Sequence, residues 1–119
     1  MSRKLIAIVD DMFFASKIRA TAEALGVEIA FPRTIENALA KIHETQPDLV
    51  VVDLHNQRFD PLAFVSELKR NTELKFIPVL GFFSHVEVGL QSQAMDHGFD
   101  NVIPRSVFAR DLGAIIGGH

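Results

Sequence analysis

Five short, mostly apolar runs recur along the chain, and each is followed by a segment whose apolar side chains return every three or four residues. The runs occupy residues 5–9, 27–31, 49–52, 77–82 and 101–104. Short runs that are apolar at successive positions are typical of strands buried on both faces. Apolar residues that return every three or four positions, as in the segments after these runs, are typical of amphipathic helices. The pattern therefore predicts five βα units.

Capping and breaking residues indicate where the predicted helices begin. Thr34 has the character of an N-cap for the second helix, and Pro61 is expected at the start of the third. Ser84 and Glu87 have the spacing of a capping box, so we expect the fourth helix to begin there. The last helix is expected over residues 107–116.

Strands that are apolar on both faces and alternate with helices predict an α/β fold, with a doubly wound parallel sheet covered on both sides. Crossovers between parallel strands are right-handed, which restricts the possible topologies. In open sheets of this kind, sites form beyond the carboxyl ends of the strands, where the strand order reverses. We therefore look for function at the strand ends.

Composition narrows the possibilities without changing the predicted fold. A chain of 119 residues fits a single domain, residues 1–119, and the absence of cysteine excludes disulfide and thiol chemistry. The net charge is −3, and no basic cluster is longer than Lys69-Arg70, so nucleic acid is a poor candidate partner. No apolar run approaches the roughly 20 residues of a membrane span. We expect a soluble, cytoplasmic protein that has no output domain of its own.

Three aspartates stand at predicted strand ends. Asp10 and Asp11 follow the first run, and Asp53 follows the third. If the first and third strands are neighbours, the three carboxylates meet, and their mutual repulsion calls for a cation. Mg²⁺ prefers a few carboxylates together with waters and a phosphate oxygen, and a carboxylate beside it can attack a phosphoryl donor. Taken alone, Asp11 is expected to be an N-cap or turn residue.

Four motifs resemble those of one family over residues 4–116. They are IVDD at residues 8–11, PDLVVVD at 47–53, IPVL at 77–80 and GFDNVIP at 98–104. In this order and spacing, the chain resembles a response-regulator receiver domain. The resemblance implies a flavodoxin-like (βα)5 fold with strand order 2-1-3-4-5. It also implies a stand-alone receiver role in two-component phosphorelay signalling.

The same resemblance assigns roles to individual residues. It implies that Asp10 and Asp11 hold Mg²⁺, that Asp53 accepts the phosphoryl group, and that His55 offers its backbone carbonyl to the metal. Such a module is not an enzyme with a substrate of its own, beyond Mg²⁺-dependent self-phosphorylation and dephosphorylation. Its implied partners are a sensor histidine kinase or phosphotransfer protein and a downstream effector protein. A homodimer is also compatible with the resemblance, whereas direct binding to nucleic acid or membrane is not expected.

The chain departs from the family pattern in the region that would contact the phosphoryl group. Phe83 stands where the family has Ser or Thr, and Ser84 comes one residue later, as a substitute hydroxyl or as a helix cap. Arg105 replaces a lysine, and we predict that it forms a salt bridge toward Asp53. Val102 replaces a switching Tyr or Phe. These departures predict an atypical receiver.

Three other interpretations remain open at this stage. A pseudo-receiver would act as an interaction module without phosphorylation, and Phe83 and Arg105 favour it. A cobalamin-binding domain is suggested by Asp53-Leu54-His55, but Arg58 occupies the place of that motif's glycine. A small phosphotransferase or phosphatase is disfavoured because the chain lacks a Gly-rich phosphate loop, and its histidines lack metal-ligand spacing.

Overall fold

The computed structural model describes residues 2–118 and contains one parallel sheet with helices on both faces. The strands are β1 (Lys4–Ile8), β2 (Glu28–Ala30), β3 (Leu49–Asp53), β4 (Val79–Phe83) and β5 (Asn101–Pro104). The helices are α1 (Met12–Ala24), α2 (Ile35–Thr45), α3 (Pro61–Arg70), α4 (Leu90–Asp96), α5 (Arg105–Arg110) and α6 (Leu112–Gly117). None of the helices in this described part of the chain is long and apolar enough to cross a bilayer.

The strand order is β2-β1-β3-β4-β5, and every neighbouring pair is parallel. This order confirms the predicted doubly wound, flavodoxin-like (βα)5 fold. The order reverses between β1 and β3, where Ile8 is in register with Val52. Both strands therefore end at the same edge of the sheet, which is the expected position for a site in this fold class.

The sheet divides the core into two clusters, because successive strand residues point to opposite faces. Val50 and Val52 pack on the side covered by α2, α3 and α4, whereas Val51 packs on the side covered by α1, α5 and α6. On this second side, Phe82 stacks on Phe108 with ring centroids 4.7 Å apart, and Phe14 meets both rings edge-on. This aromatic cluster lies beneath the start of α1.

Several predicted caps are confirmed. Thr34 Oγ1 accepts the backbone N–H of Asn37 at the start of α2. Pro61 is the first residue of α3, and Asp60 caps it through the N–H groups of Leu62 and Ala63.

The predicted start of the fourth helix is wrong. The helix begins at Leu90, after Gly89 in a left-handed conformation with φ of 83°, and Ser84 caps nothing. Val86 and Val88 are fully exposed, so the segment of residues 84–89 has no apolar side chain that would pack a helical turn onto the sheet. Residues 84–89 therefore form a connection between β4 and α4.

Two other boundaries also differ from the prediction. The last helical region begins at Arg105 rather than at residue 107, and it is interrupted at Asp111, which separates α5 from α6. β4 covers Val79–Phe83 rather than residues 77–82, because the Ile77 N–H is already bonded to the Leu74 carbonyl in the preceding turn.

Candidate functional site

The tips of β1 and β3 bring acidic residues together. Asp10 follows β1 by two residues and Asp53 is the last residue of β3, and the two strands are hydrogen-bonded neighbours. The proximity has an electrostatic consequence, since the charge of Asp10 is among the effects that raise the pKa of Asp53. The predicted adjacency of the two strand tips is confirmed.

Asp53 is only 5% exposed. Burial raises the pKa of its carboxyl, and the backbone N–H of His55, which donates to Oδ1 over 2.9 Å, acts in the opposite direction. Throughout residues 2–118, no fully buried side-chain oxygen lacks a hydrogen-bond partner. Oδ2 accepts no hydrogen bond from this part of the chain, so it must retain contact with solvent. One oxygen of Asp53 is therefore held and the other is open.

Asp11 uses both of its carboxylate oxygens. Oδ1 accepts the N–H groups of Phe13 and Phe14 at 3.0 and 3.1 Å, which makes Asp11 the N-cap of α1, as expected for the residue taken alone. Oδ2 accepts Arg105 Nη2 at 3.1 Å. The backbone bond from Phe14 and the side-chain bond from Arg105 lower the pKa of Asp11. Asp11 is therefore held as an anion by the helix and by a cation.

Arg105 forms its ion pair with Asp11 and not with Asp53, so the predicted partner was wrong. Its guanidinium carbon lies 4.1 Å from the centroid of the Phe14 ring, in a cation–π contact. Phe14 follows the α1 cap, so the same contact places the guanidinium beside Asp11. The influence of Arg105 on Asp53 is limited to a longer-range charge effect that lowers the pKa of Asp53.

The loop between β3 and α3 closes over the strand tips. The backbone N–H of Gln57 donates to Asp10 Oδ2 over 2.8 Å, across 47 residues of chain. Asn56 is buried, and its Oδ1 accepts the N–H groups of Arg58 and Phe59. These bonds fix the loop that carries His55.

His55 connects this loop to the one after β4. Its carbonyl, predicted to face a metal, accepts Gln57 Nε2 at 3.2 Å. Its ring Nε2 accepts the backbone N–H of His85 at 3.3 Å, and the two imidazoles meet edge-on with centroids 5.2 Å apart. Glu87 Oε1 lies 3.8 Å from Nδ1. This contact was not predicted from the sequence, although each histidine stands two residues beyond the end of one of two neighbouring strands.

The residues that depart from the family pattern occupy distinct surroundings. Phe83 is half-buried and packs against the core cluster beside α4, whereas Ser84 is exposed in the following connection. Val102 is buried, and its carbonyl accepts Gln91 Nε2 at 3.0 Å. The phosphoryl-reading role of Ser84 stays a prediction, and its alternative role as a helix cap is wrong.

The acidic residues supply oxygen ligands of the type that Mg²⁺ prefers, and two of them have an oxygen available. In the described residues, hydrogen bonds occupy Asp10 Oδ2 and Asp53 Oδ1, and leave one oxygen of each carboxylate unbonded. Asp11 is occupied at both oxygens. Within residues 2–118, no three acidic or histidine side chains are already arranged as a metal-binding group. The chemistry fits a hard cation, and Asp11 would have to release Arg105 to join it.

Comparisons with known proteins agree with the fold. A family model described as the response regulator receiver domain matches residues 6–116. Response regulator protein VraR of Staphylococcus aureus is 32% identical over 77 residues, which is 65% of this chain and 36% of that protein. The chain thus spans about a third of the length of the curated relatives it matches.

Solved structures show the same architecture. The phosphorylated cyanobacterial phytochrome response regulator RcpA has a TM-score of 0.76 and 23% identity, covering 99% of this chain and 91% of that one. The Mn²⁺-bound form of response regulator Rcp1 also has a TM-score of 0.76, with 18% identity, covering 98% and 90% of the two chains. At these identities the likeness supports the fold alone.

Proposed function

Because the chain belongs to the response-regulator receiver family, we propose that it accepts a phosphoryl group on Asp53 in a Mg²⁺-dependent reaction of two-component signalling. One observation carries the proposal: Asp53 ends β3 beside the tip of β1, which carries Asp10 and Asp11. The phosphorylated state of RcpA and the Mn²⁺-bound state of Rcp1 are consistent with such chemistry on this fold.

In phosphoryl acceptance, Asp53 would act as the nucleophile, and Asp10 and Asp53 would bind the metal ion. The open oxygen of Asp53 attacks the phosphorus of the donor, a new O–P bond forms, and the bond to the donor's leaving group breaks with its electron pair. Burial makes the Asp53 carboxylate more basic, which favours it as a nucleophile once it is ionised. Asp10 would hold Mg²⁺ through its unbonded oxygen, and Asp53 would hold it through Oδ1, which keeps a lone pair beside its bond from the His55 N–H. When bound, the ion neutralises charge between the carboxylates and the phosphoryl oxygens.

Arg105 is the cation that we expect to bind the phosphoryl group once Asp53 carries it. Its guanidinium is 35% exposed and is paired with Asp11, and a guanidinium fork binds phosphate oxygens as well as carboxylate. If Asp11 turns to the metal, Arg105 becomes free to pair with the phosphoryl group on Asp53. This exchange of partners would replace the hydroxyl and aromatic contacts that Phe83 and Val102 cannot make.

The proposal includes partners and a compartment. A sensor histidine kinase or phosphotransfer protein would supply the phosphoryl group, and an effector protein would respond to it. We propose a cytoplasmic location for the chain, in keeping with its role as a partner of such a kinase.

Mass measurement after incubation with a small acyl phosphate and Mg²⁺ tests the proposal. We expect a phosphate-sized gain in the wild type and in Asp96→Ala, a matched control on the exposed surface of α4. Asp53→Ala should gain nothing, and removal of Mg²⁺ by a chelator should prevent the gain in every variant. A gain retained in Asp53→Ala, or no gain in any variant, would contradict the proposal.

A phosphorylation-independent interaction module is the second candidate. The pairing of Asp11 with Arg105 and the low exposure of Asp53 favour it, because both oppose entry of a metal and a donor. Beryllofluoride with Mg²⁺, a mimic of an acyl phosphate, distinguishes the two. Resonance shifts confined to the tips of β1 and β3 would support acceptance, and an unchanged spectrum would support the module.

A further inference from the structure

A second concave site lies beside the acidic one, on the β2 side of β1. The cavity has a volume of about 170 Å³ and is walled by α1, the connection from β2 to α2, and the β3–α3 loop. Its walls include Asp10, Arg19, Phe31, Pro32, Arg33 and Arg58, together with small and apolar residues of α1 and of the chain just after β1. Asp53 is not among the residues that line it, so the cavity is separate from the acceptor.

The cavity concentrates positive charge. Arg19, Arg33 and Arg58 take part in none of the ion pairs formed within residues 2–118, although the chain has 15 acidic residues to 12 basic ones. Among the described residues 2–118, Asp10 is the only acidic residue on the wall, and its Oδ2 is held by the Gln57 N–H. Three cations and one anion leave a formal charge of +2. Like charges gathered without compensation favour an anionic ligand.

The cavity is also partly preorganised. The guanidinium carbon of Arg19 lies 4.6 Å from the centroid of the Phe31 ring, which fixes the cation against one wall. The backbone N–H of Arg58 is bonded to Asn56 Oδ1, so the loop that carries it has a defined course. Phe31 and Pro32 add an apolar wall beside the cations. A ligand that combines an anionic group with a small apolar group matches these walls.

We propose that this cavity binds a small organic phosphate dianion. A phosphate monoester of charge −2 would neutralise the +2 of the walls, and guanidinium forks match phosphate oxygens in geometry. The volume admits a small molecule and no folded partner. Because Asp10 lines the cavity and also belongs to the acidic site, a ligand in the cavity and a metal at the acidic site would alter each other's affinity. The site is additional to phosphoryl acceptance at Asp53.

Titration of the full chain with phenyl phosphate, followed by calorimetry and amide resonances, tests this site. We expect saturable binding that is weakened about tenfold by Arg19→Gln and by Arg58→Gln, the loss of one charge-assisted contact in each case. Arg70→Gln is the matched control, since Arg70 is an exposed arginine at the end of α3 and does not line the cavity. Inorganic phosphate should bind more weakly than phenyl phosphate, because it cannot contact the Phe31 wall.

Asp10→Asn separates this proposal from phosphoryl acceptance. The substitution removes the negative charge that Asp10 contributes to the cavity walls, so phenyl phosphate should bind about threefold to tenfold more tightly. The same substitution removes a candidate Mg²⁺ ligand, so phosphoryl gain at Asp53 should fall. Asp53→Asn should still saturate with phenyl phosphate. The cavity proposal fails if binding does not saturate, if Arg70→Gln weakens it as much as Arg19→Gln, or if Asp10→Asn weakens it.

Discussion

At the scale of single residues, both carboxylate oxygens of Asp11 already have structural partners, which leaves neither of them free to bind a metal ion. Its Oδ1 caps α1 and its Oδ2 holds Arg105. A metal ion at the strand tips must compete with that cation for the second oxygen. We therefore expect Arg105 to limit how readily a metal ion binds at the strand tips.

Arg105→Gln should raise the affinity for Mg²⁺. The two side chains of the ion pair are each about one-third exposed, so the pair contributes about 1 kcal/mol or less. A metal ion no longer has to break this pair in the variant, so we expect its affinity to rise by up to about fivefold. Amide resonance shifts during a Mg²⁺ titration measure it. Arg110→Gln is the control, since Arg110 pairs with the neighbouring Asp111. An affinity that falls in Arg105→Gln would mean that Arg105 supports the metal.

Asp53 should make the stability of the protein depend on pH in the direction opposite to that of an ordinary paired carboxylate. Burial raises its pKa above the value in the unfolded chain, so the folded state holds the proton more tightly. The resulting stabilisation is complete below the unfolded-state pKa and is lost as the pH rises through the folded-state pKa. At neutral pH the ionised carboxylate therefore destabilises the fold.

Asp53→Asn should accordingly raise the free energy of unfolding at pH 7, by about 1 kcal/mol, since it removes a buried charge and keeps an acceptor for the His55 N–H. The gain should shrink as the pH is lowered and the wild-type carboxyl becomes protonated. Urea unfolding at pH 7 and pH 4 measures both values. Asp96→Asn, on the exposed surface, should show no such pattern. A gain that is equal at the two pH values would rule out ionisation as its cause.

At the scale of secondary-structure elements, the connection between β4 and α4 is held mainly from outside itself. Residues 84–89 are exposed, and the His85 N–H donates to the ring of His55 on the neighbouring β3–α3 loop. The N–H of His55 in turn donates to Asp53. Two hydrogen bonds thus connect the candidate acceptor to the β4–α4 connection.

His55→Ala should loosen this connection. Loss of a hydrogen bond worth about 1 kcal/mol should raise amide hydrogen exchange in residues 84–89 by roughly fivefold. His43→Ala is the control, since His43 lies on α2, its ring contacts Glu73, and it has no hydrogen bond to either loop within residues 2–118. Unchanged hydrogen exchange in His55→Ala would show that the hydrogen bond to the His55 ring does not stabilise the connection.

The accuracy of the sequence-based predictions varies between elements for physical reasons. The central strands β1, β3 and β4 were located because burial on both faces leaves a continuous apolar run, whereas the edge strands β2 and β5 are only partly buried. Thr34 and Pro61 were identified because they act within their own helix ends. The capping box at Ser84 failed because a cap stabilises a helical turn only when apolar residues also pack it. Here the only apolar residues, Val86 and Val88, face solvent.

At the scale of the whole molecule, stability depends on how closely other segments pack on the central sheet. Gly81 lies on β4, where a Cβ atom would come within 2.8 Å of the Phe99 ring. Gly113 lies in α6 with no atom within 4 Å of such a Cβ. The two glycines therefore differ in the packing around them.

Gly81→Ala should destabilise the protein by about 1–3 kcal/mol, since the Phe99 ring must shift within a filled core. Gly113→Ala should stabilise it by about 0.5–1 kcal/mol, because alanine is favoured over glycine inside a helix. Urea unfolding of the two variants and the wild type gives both values. Equal effects in the two variants would show that packing against Phe99 is not the cause.

The site as a whole was predictable only where it follows from strand order. Parallel strands ending at one edge suffice to bring Asp10 and Asp53 together. The partner of Arg105 was missed because it depends on the position of the Phe14 ring, which is set by Phe82 and Phe108 from other parts of the chain. Contacts between side chains of distant elements leave no periodic signal in a sequence.

The guanidinium seated on the Phe14 ring has an evolutionary consequence. Asp11, Phe14 and Arg105 form one contact unit although 94 residues separate its ends. Among related chains, we expect these three positions to vary together. Where lysine or a small residue stands at position 105, the cation–π contact is weakened or lost, and an aliphatic residue can replace the aromatic one at position 14. Related chains that keep this contact would then be recognised by the pair of residues at positions 14 and 105, and not by either residue alone.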